Sequence, residues 1–210
     1  LNIPDSVTNI GEYAFYYCDS ITSATIGANT ESIGDYAFYG CESLTSIEIP
    51  STLTAIGSYI FGACHELKEL TIEKGVTGIG YGMFARCDNL KSVVIPDSIT
   101  YIDDQAFSGC TALTSIVMGG NIETIGESAF ECCENLSDIT LPESVTSIAK
   151  RAFFKCSKLN SIRILNPECK IYNSEDTICD SVIEATGQCH YNGIIYGYEG
   201  STAQIYAEKY

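Results

Sequence analysis

The sequence predicts an α/β solenoid, in which each coil carries one short parallel strand and a short helical or 3₁₀ turn, with a cap closing the C-terminal end. Its 23-residue period carries the prediction. Ile10, Ile33, Ile56, Ile79, Ile102, Ile125 and Ile148 recur at that interval without an insertion. Phe15, Phe38, Phe61, Phe84, Phe107, Phe130 and Phe153 keep it, as do Cys18, Cys41, Cys64, Cys87, Cys110, Cys133 and Cys156, joined in phase by Cys179. Self-similarity on this scale marks a repeat architecture. The unit reads I-G-x-x-A-F-x-x-C-x-x-L-T-S-I-x-I-P-x-S-V-T-x.

Within each unit the L-T-S-I-x-I segment alternates apolar and polar residues. Ile47 and Ile49 therefore point inward while Ser46 and Glu48 point outward, which is strand behaviour. A second short extended piece is predicted at S-V-T-x-I. Between the two, "GDYAFYGC" places Ala37, Phe38 and Cys41 at i, i+1, i+4, the spacing of one or two helical or 3₁₀ turns facing the core. Pro4, Pro50, Pro96 and Pro142 lie 46 residues apart, and the intervening units carry "GANTE", "EKGVT" and "GGNIE" instead. Proline fixes φ and Gly-Asn permits positive φ, so the array reads as a duplicated pair with two turn chemistries. One coil cannot bury enough apolar surface to order itself, whereas stacked coils share their apolar edges and gain a strand ladder.

The eighth unit fades. Ile171, Cys179 and Val182 keep phase, but Glu175 and Asp176 replace the Ala-Phe pair. In "STAQIYAEKY", Ser201 and Gln204 match an S-x-x-Q capping box, and Ala203, Tyr206, Ala207 and Tyr210 form an i, i+3, i+4, i+7 stripe. The expected organisation is seven repeats over residues 1–165, the first truncated on its N-terminal side, and a degenerate repeat with a capping helix over 166–210.

The string A-F-x-x-C-x-x-L-T-S-I-x-I-P-x-S-V-T-x-I-G resembles the BspA-like class of bacterial leucine-rich repeats, with seven in-phase copies. The tail "IIYGYEGSTAQIYAEKY" is similar to the segment that closes such arrays in surface proteins of gut anaerobes. The resemblance implies a right-handed leucine-rich repeat solenoid, export to the cell surface or medium, and adhesion or ligand capture, with no enzymatic activity. A targeting or spacer role within a larger secreted enzyme or polysaccharide-handling assembly is the alternative.

A formal charge of −16 with only 11 Lys and Arg argues against nucleic acid and against an anionic membrane surface. The bases are uneven: none precedes Lys68, while Lys150, Arg151, Lys155, Lys158, Arg163 and Lys170 crowd one late stretch. No run approaches the roughly 18 to 20 apolar residues of a membrane span. The opening "LNIPDSVTNI" has neither an initiator Met nor a signal-peptide core, so a fragment or processed product is expected.

A thiol row invites a metal, but zinc needs four ligands converging on one point, and one cysteine per coil diverges from that. Parallel Cβ vectors in stacked coils likewise disfavour disulfides, so reduced, buried cysteines acting as small hydrophobes are expected. A bond among Cys169, Cys179 and Cys189 stays open. His65 occupies a turn slot held elsewhere by Asp19, Glu42, Asp88 and Glu134, which reads as a solvated substitution. Asp103 and Asp104 have no matching partner, and one carboxylate per coil is too sparse for calcium. No metal or cofactor is expected. Tyr13, Tyr36 and Tyr59 share one slot in a chain with 14 Tyr and no Trp. That row reads as a structural stack on the convex side, or as a recognition surface.

The candidate binding face is the outward row of the strands, where solenoids present extended surface. Its residues are Ser46, Glu48, Glu69, Thr71, Ser92, Val94, Ser115, Val117, Asp138, Thr140, Ser161 and Arg163. Val94 and Val117 are neighbouring apolar residues in a polar field, either the centre of a contact or a cross-strand pair packed on itself. The expected partners of a monomeric module are protein or glycan ligands of a host or of neighbouring microbes.

Overall fold

The computed structural model describes residues 1–183 and 186–210. The chain winds as a parallel-strand solenoid whose successive coils pair in register at the 23-residue interval. Long strands run over Ser46–Ile49, Glu69–Ile72, Ser92–Val94, Ser115–Val117, Asp138–Leu141 and Ser161–Ile164. Their side chains alternate as expected, with Ile47 and Ile49 buried and Glu48 exposed. A second ladder of two-residue strands pairs Ile10 with Ile33 and Ile56, then Ile79 with Ile102, Ile125, Ile148 and Ile171. Threonines at fixed slots tie the coils further. Thr45 Oγ1 donates to Thr22 O at 3.0 Å and Thr146 Oγ1 to Glu123 O at 3.1 Å, each 23 residues back.

The core is a column of phenylalanines. Rings from Phe15 to Phe153 follow one another at 4.9 to 5.8 Å between centroids, and Phe38 through Phe153 are fully buried. Offset stacking of this kind adds to the burial term.

The segment carrying that column is not helical. The N–H groups of Tyr13, Phe15 and Tyr17 donate to Asp35, Ala37 and Tyr39 of the next coil, while those of Ala14, Tyr16 and Cys18 donate three residues back within their own coil. The same alternation recurs along the array. It requires the left-handed region at two slots per coil: φ is +54° at Tyr13 and +51° at Tyr17, and +55° and +57° at Arg151 and Lys155. The two left-handed residues turn every second N–H along the solenoid axis. A helical or 3₁₀ turn would spend all its donors locally and leave the coils joined by two ladders instead of three. That third ladder offsets the 1 to 3 kcal/mol or so that each non-glycine left-handed residue costs.

The doublet of turn chemistries has a hydrogen-bonded cause. The carboxylate of Asp5, after Pro4, accepts from Ala28 N at 2.8 Å, and Asn29 Nδ2 donates back to Asp5 O. Asp97 repeats this with Gly120 and Asn121. The proline turn also approaches so closely that a Cβ at Gly27 or Gly119 would sit 2.5 Å from the Pro4 or Pro96 carbonyl oxygen.

The eighth coil departs from the sequence phase. Phe153 pairs with Ile178 and Phe154 with Cys179, a slip of two residues, so Ile178 takes the place that Asp176 holds by count. Ile171 keeps its slot, but Cys179 leaves the thiol column and Val182 enters an antiparallel hairpin with Cys189. A further strand, Ile194–Tyr196, then pairs parallel to Ser161–Ile164 and continues the long-strand ladder. Helix α1, Thr202–Lys209, closes the stack. Ser201 caps it by accepting from Gln204 N, and the Gln204 side chain accepts from Gly200 N at 2.7 Å. Only the first half of the predicted stripe, Ala203 and Tyr206, is buried; Ala207 and Tyr210 are exposed. The Tyr206 hydroxyl accepts from Ile178 N and donates to Ser174 O at 2.8 Å, covering donors and acceptors that another coil would otherwise pair.

Candidate functional site

The outward strand residues form two rows. The first runs Ser46, Glu69, Ser92, Ser115, Asp138, Ser161 and the second Glu48, Thr71, Val94, Val117, Thr140, Arg163. Register fixes their neighbours: Glu48 faces Thr71, Val94 faces Val117, and Thr140 faces Arg163. Backbone pairing gathers the strands into three groups, with breaks between Glu69–Ile72 and Ser92–Val94 and between Ser115–Val117 and Asp138–Leu141.

The face is chemically graded. Glu48 and Glu69 make one end acidic. In the middle, Val94 and Val117 are 64% and 59% exposed, so packing on each other hides only the smaller share of their surface. At the far end the Arg163 guanidinium lies 4.6 Å over the Tyr196 ring, an arrangement worth about 0.5 to 1 kcal/mol at an exposed site. Nearby, Ser161 Oγ donates to Asp138 Oδ1 at 2.6 Å.

Ile194 and Tyr196 extend the two rows by one coil, opposite Ser161 and Arg163. Periodicity could not find them. They lie ten residues beyond the positions that the 23-residue count assigns, because the hairpin intervenes. The only sequence signal was an aromatic and β-branched run, "IIYGY", which resembles a strand as well as it resembles a tail.

The thiol column proves more than a set of small hydrophobes. Cys41 Sγ donates to Phe15 O at 3.1 Å, Cys64 to Phe38 O at 3.3 Å, and the pattern repeats through Cys156 to Phe130 O, always to the coil before. Each phenylalanine carbonyl already accepts the N–H three residues on, so the thiol occupies its second lone pair in a place water cannot reach. Burial pushes the Cys41 thiol up to about 11 and the Cys110 thiol to about 12. These protonated donors are unsuited to nucleophilic work.

Other candidates are absorbed by architecture. His65 Nδ1 meets Asp88 Oδ2 at 2.7 Å across coils, and neighbouring Cys64 faces Phe38 O, so no thiol-imidazole pair forms. Asp104 Oδ1 accepts from Glu127 N at 2.6 Å, and Asp35 Oδ1 from Ser58 N at 2.7 Å. The Ser51 backbone N–H holds the Glu73 carboxyl below its ordinary range. Tyr13, Tyr36 and Tyr59 stack at 5.4 Å, with ring planes 2° and 13° apart. The ring faces are thereby spent on one another, and the row ends where Tyr59 donates to Gln105, which donates to Tyr81. Stacking of this kind favours the structural reading of the tyrosine row.

The sequence matches the model of the BspA type leucine rich repeat region in six copies, over residues 1–110 and 79–185. The structure is similar to that of a leucine-rich repeat protein from Eubacterium ventriosum ATCC 27560, at 34% identity and a TM-score of 0.66, covering 69% of this chain and 39% of that one. It is similar also to a leucine-rich repeat protein from Bacteroides ovatus ATCC 8483, at 27% identity and a TM-score of 0.65, covering 81% of this chain and 50% of that one. The chain thus spans half or less of the length of these two structures. No curated protein matches the sequence.

Proposed function

This chain belongs to the BspA type leucine-rich repeat family, and on that premise we propose that it is a non-catalytic binding module of a secreted or cell-surface bacterial protein, holding protein or glycan ligands on its strand face. The observation that carries the reading is the in-register Val94–Val117 pair, largely exposed at the centre of rows that are polar on both sides of it as far as Ser46 and Arg163. An apolar centre rimmed by polar groups is the usual anatomy of a contact surface. Glu48 and Glu69 on one side and Arg163 with Tyr196 on the other would supply orientation, through many weak contacts over several coils. Support for a non-catalytic role comes from the buried, protonated thiols and the carboxylates already engaged by backbone N–H groups. Among the described residues no helix is long and apolar enough to cross a membrane.

The test is a binding screen of the chain against immobilised extracellular-matrix proteins, mucin and a glycan array. It is repeated with the Val94→Asp, Val117→Asp double variant after circular dichroism has confirmed its fold. A loss of at least about tenfold in affinity is expected, since burying two carboxylates in an apolar contact is costly. Unchanged affinity for a ligand found in the screen would remove the strand face from the proposal.

A further inference from the structure

The strand face is divided by its prolines. Within a doublet, the residue after the strand donates back across 24 positions: Glu73 N to Ile49 O at 3.0 Å, and Leu165 N to Leu141 O at 3.1 Å. Pro50, Pro96 and Pro142 occupy the same slot and have no N–H to give. Strand pairing stops at each of them, so that Ser46–Ile49, Ser92–Val94 and Asp138–Leu141 pair only with the coil that follows. The breaks thus recur every 46 residues.

The last of these breaks opens a cleft beside the exposed valine pair. Its volume is about 450 Å³, and Val117, Met118, Thr140, Pro142 and Leu165 are among the residues that line it. That size lies within the roughly 300 to 1,000 Å³ typical of ligand sites. No hydrogen bond among the described residues reaches Met118 O, the carbonyl that an N–H at position 142 would engage. Charge is graded on either side of the cleft. Toward the N-terminal end, Glu48 and Glu69 are exposed and join no ion pair among the described residues. No Lys or Arg precedes Lys68, whose ammonium is held by Glu66 at 3.1 Å. On the other side, one coil on, Arg163 faces Thr140.

Resting on the strand-face reading above, we infer that the partner is a protein segment, bound extended along the solenoid axis, which inserts one bulky apolar side chain into the cleft at the Pro142 break. Complementarity of charge fixes its flanks. Glu48 and Glu69 lie about three coils from the cleft, roughly 14 Å at the usual strand spacing, or about four to five residues of extended chain. The segment therefore carries Lys or Arg about four or five residues from its apolar anchor. On the opposite side it carries Asp or Glu within about two residues, where it meets Arg163. A neutral or anionic glycan offers no bulky apolar group for the cleft and no cation for the carboxylates. A polypeptide supplies both, and its N–H groups suit the carbonyl that Pro142 leaves unengaged.

The full chain is panned against a phage-displayed library of random dodecapeptides, and synthetic copies of the enriched peptides are measured by fluorescence anisotropy. The expected consensus is an aliphatic or aromatic residue with Lys or Arg about four or five positions to one side and Asp or Glu about one or two to the other. Scrambling that order should cost at least about tenfold in affinity. Met118→Asp sets a carboxylate in the cleft and should weaken binding at least about tenfold. Pro142→Ala supplies the missing N–H, so that the ladder can close, and should weaken it by about as much. Glu48→Lys with Glu69→Lys should weaken it too, and by less in high salt. Should Met118→Asp fold poorly by circular dichroism, Pro142→Ala decides. Enriched peptides without an apolar anchor, or affinities that neither cleft variant changes, overturn the inference. If the glycan array yields a ligand that Val94→Asp, Val117→Asp abolishes while no peptide is enriched, the inference falls and the strand-face reading stands. Peptides whose binding survives the valine and the cleft variants alike remove both.

Discussion

The regularly repeating coils and the segment that follows them face the same problem, an open coil edge, and meet it differently. Within the array each coil satisfies its neighbour by repetition. Two strand ladders, a turn ladder, a phenylalanine column and a thiol column all recur at 23 residues, so every interface resembles the next. The later segment does not repeat. It slips its register by two residues, inserts a hairpin, returns a strand to the ladder at Ile194–Tyr196 and lays α1 over the remaining edge. Repetition distributes stability along the chain, whereas the closing segment concentrates it in a few specific contacts such as the Tyr206 hydroxyl.

The largest expected effect breaks this contrast open at the centre. Phe107→Ala removes a fully buried ring from the middle of the column and should cost about 3 to 5 kcal/mol of global stability, with amide protection lost on both sides of the site. Tyr206→Ala should cost roughly 2 kcal/mol and open only residues after about 165 in hydrogen exchange. Equal and global loss in both variants would mean that the array and its closing segment form one cooperative unit.

A second effect belongs to the thiol column. The buried Cys41 and Cys110 thiols are pushed above their ordinary 9.0, to about 11 and about 12, because burial disfavours the thiolate. A raised pKa means that the stabilisation is complete below the unfolded value and is lost as pH rises through the folded one. Stability should therefore hold up to about pH 9 and then fall toward pH 11 to 12, at up to about 1.4 kcal/mol per pH unit for each such thiol. Urea unfolding at stepped pH measures it, and Cys110→Ala should flatten the slope. An unchanged slope in that variant would assign alkaline unfolding to other groups.

The smallest effect concerns the left-handed slots. Arg86 is exposed, with φ at +60°, and the equivalent residues of other coils include Gly40 and Gly109. Arg86→Gly should be neutral or stabilising by up to about 1 kcal/mol, while Arg86→Val should destabilise by about 1 to 2 kcal/mol. Thermal melts of the two variants differ only if the turn ladder is built as described.

Much of this was legible from the residues. The seven Ile, Phe and Cys positions implied one environment visited repeatedly, and alternation in L-T-S-I-x-I gave the inward and outward sides of each strand, hence the twelve face residues. The helical reading of "GDYAFYGC" failed for a physical reason. Ala37, Phe38 and Cys41 face the core either as a helix or as linked turns, and side-chain spacing does not distinguish them. What separates them is where the backbone donors go, and here every second one crosses to the next coil.

By itself, then, the sequence determined the period, the core column and the strand face, because a repeated pattern of apolar side chains can be buried only by stacking. Tertiary structure alone decided the rest. The thiols became carbonyl partners because a neighbouring coil placed Phe15 O and its equivalents above them. The eighth coil slipped, and a hairpin after it returned Tyr196 under Arg163, because pairing energy is settled between coils and not by counting residues along one.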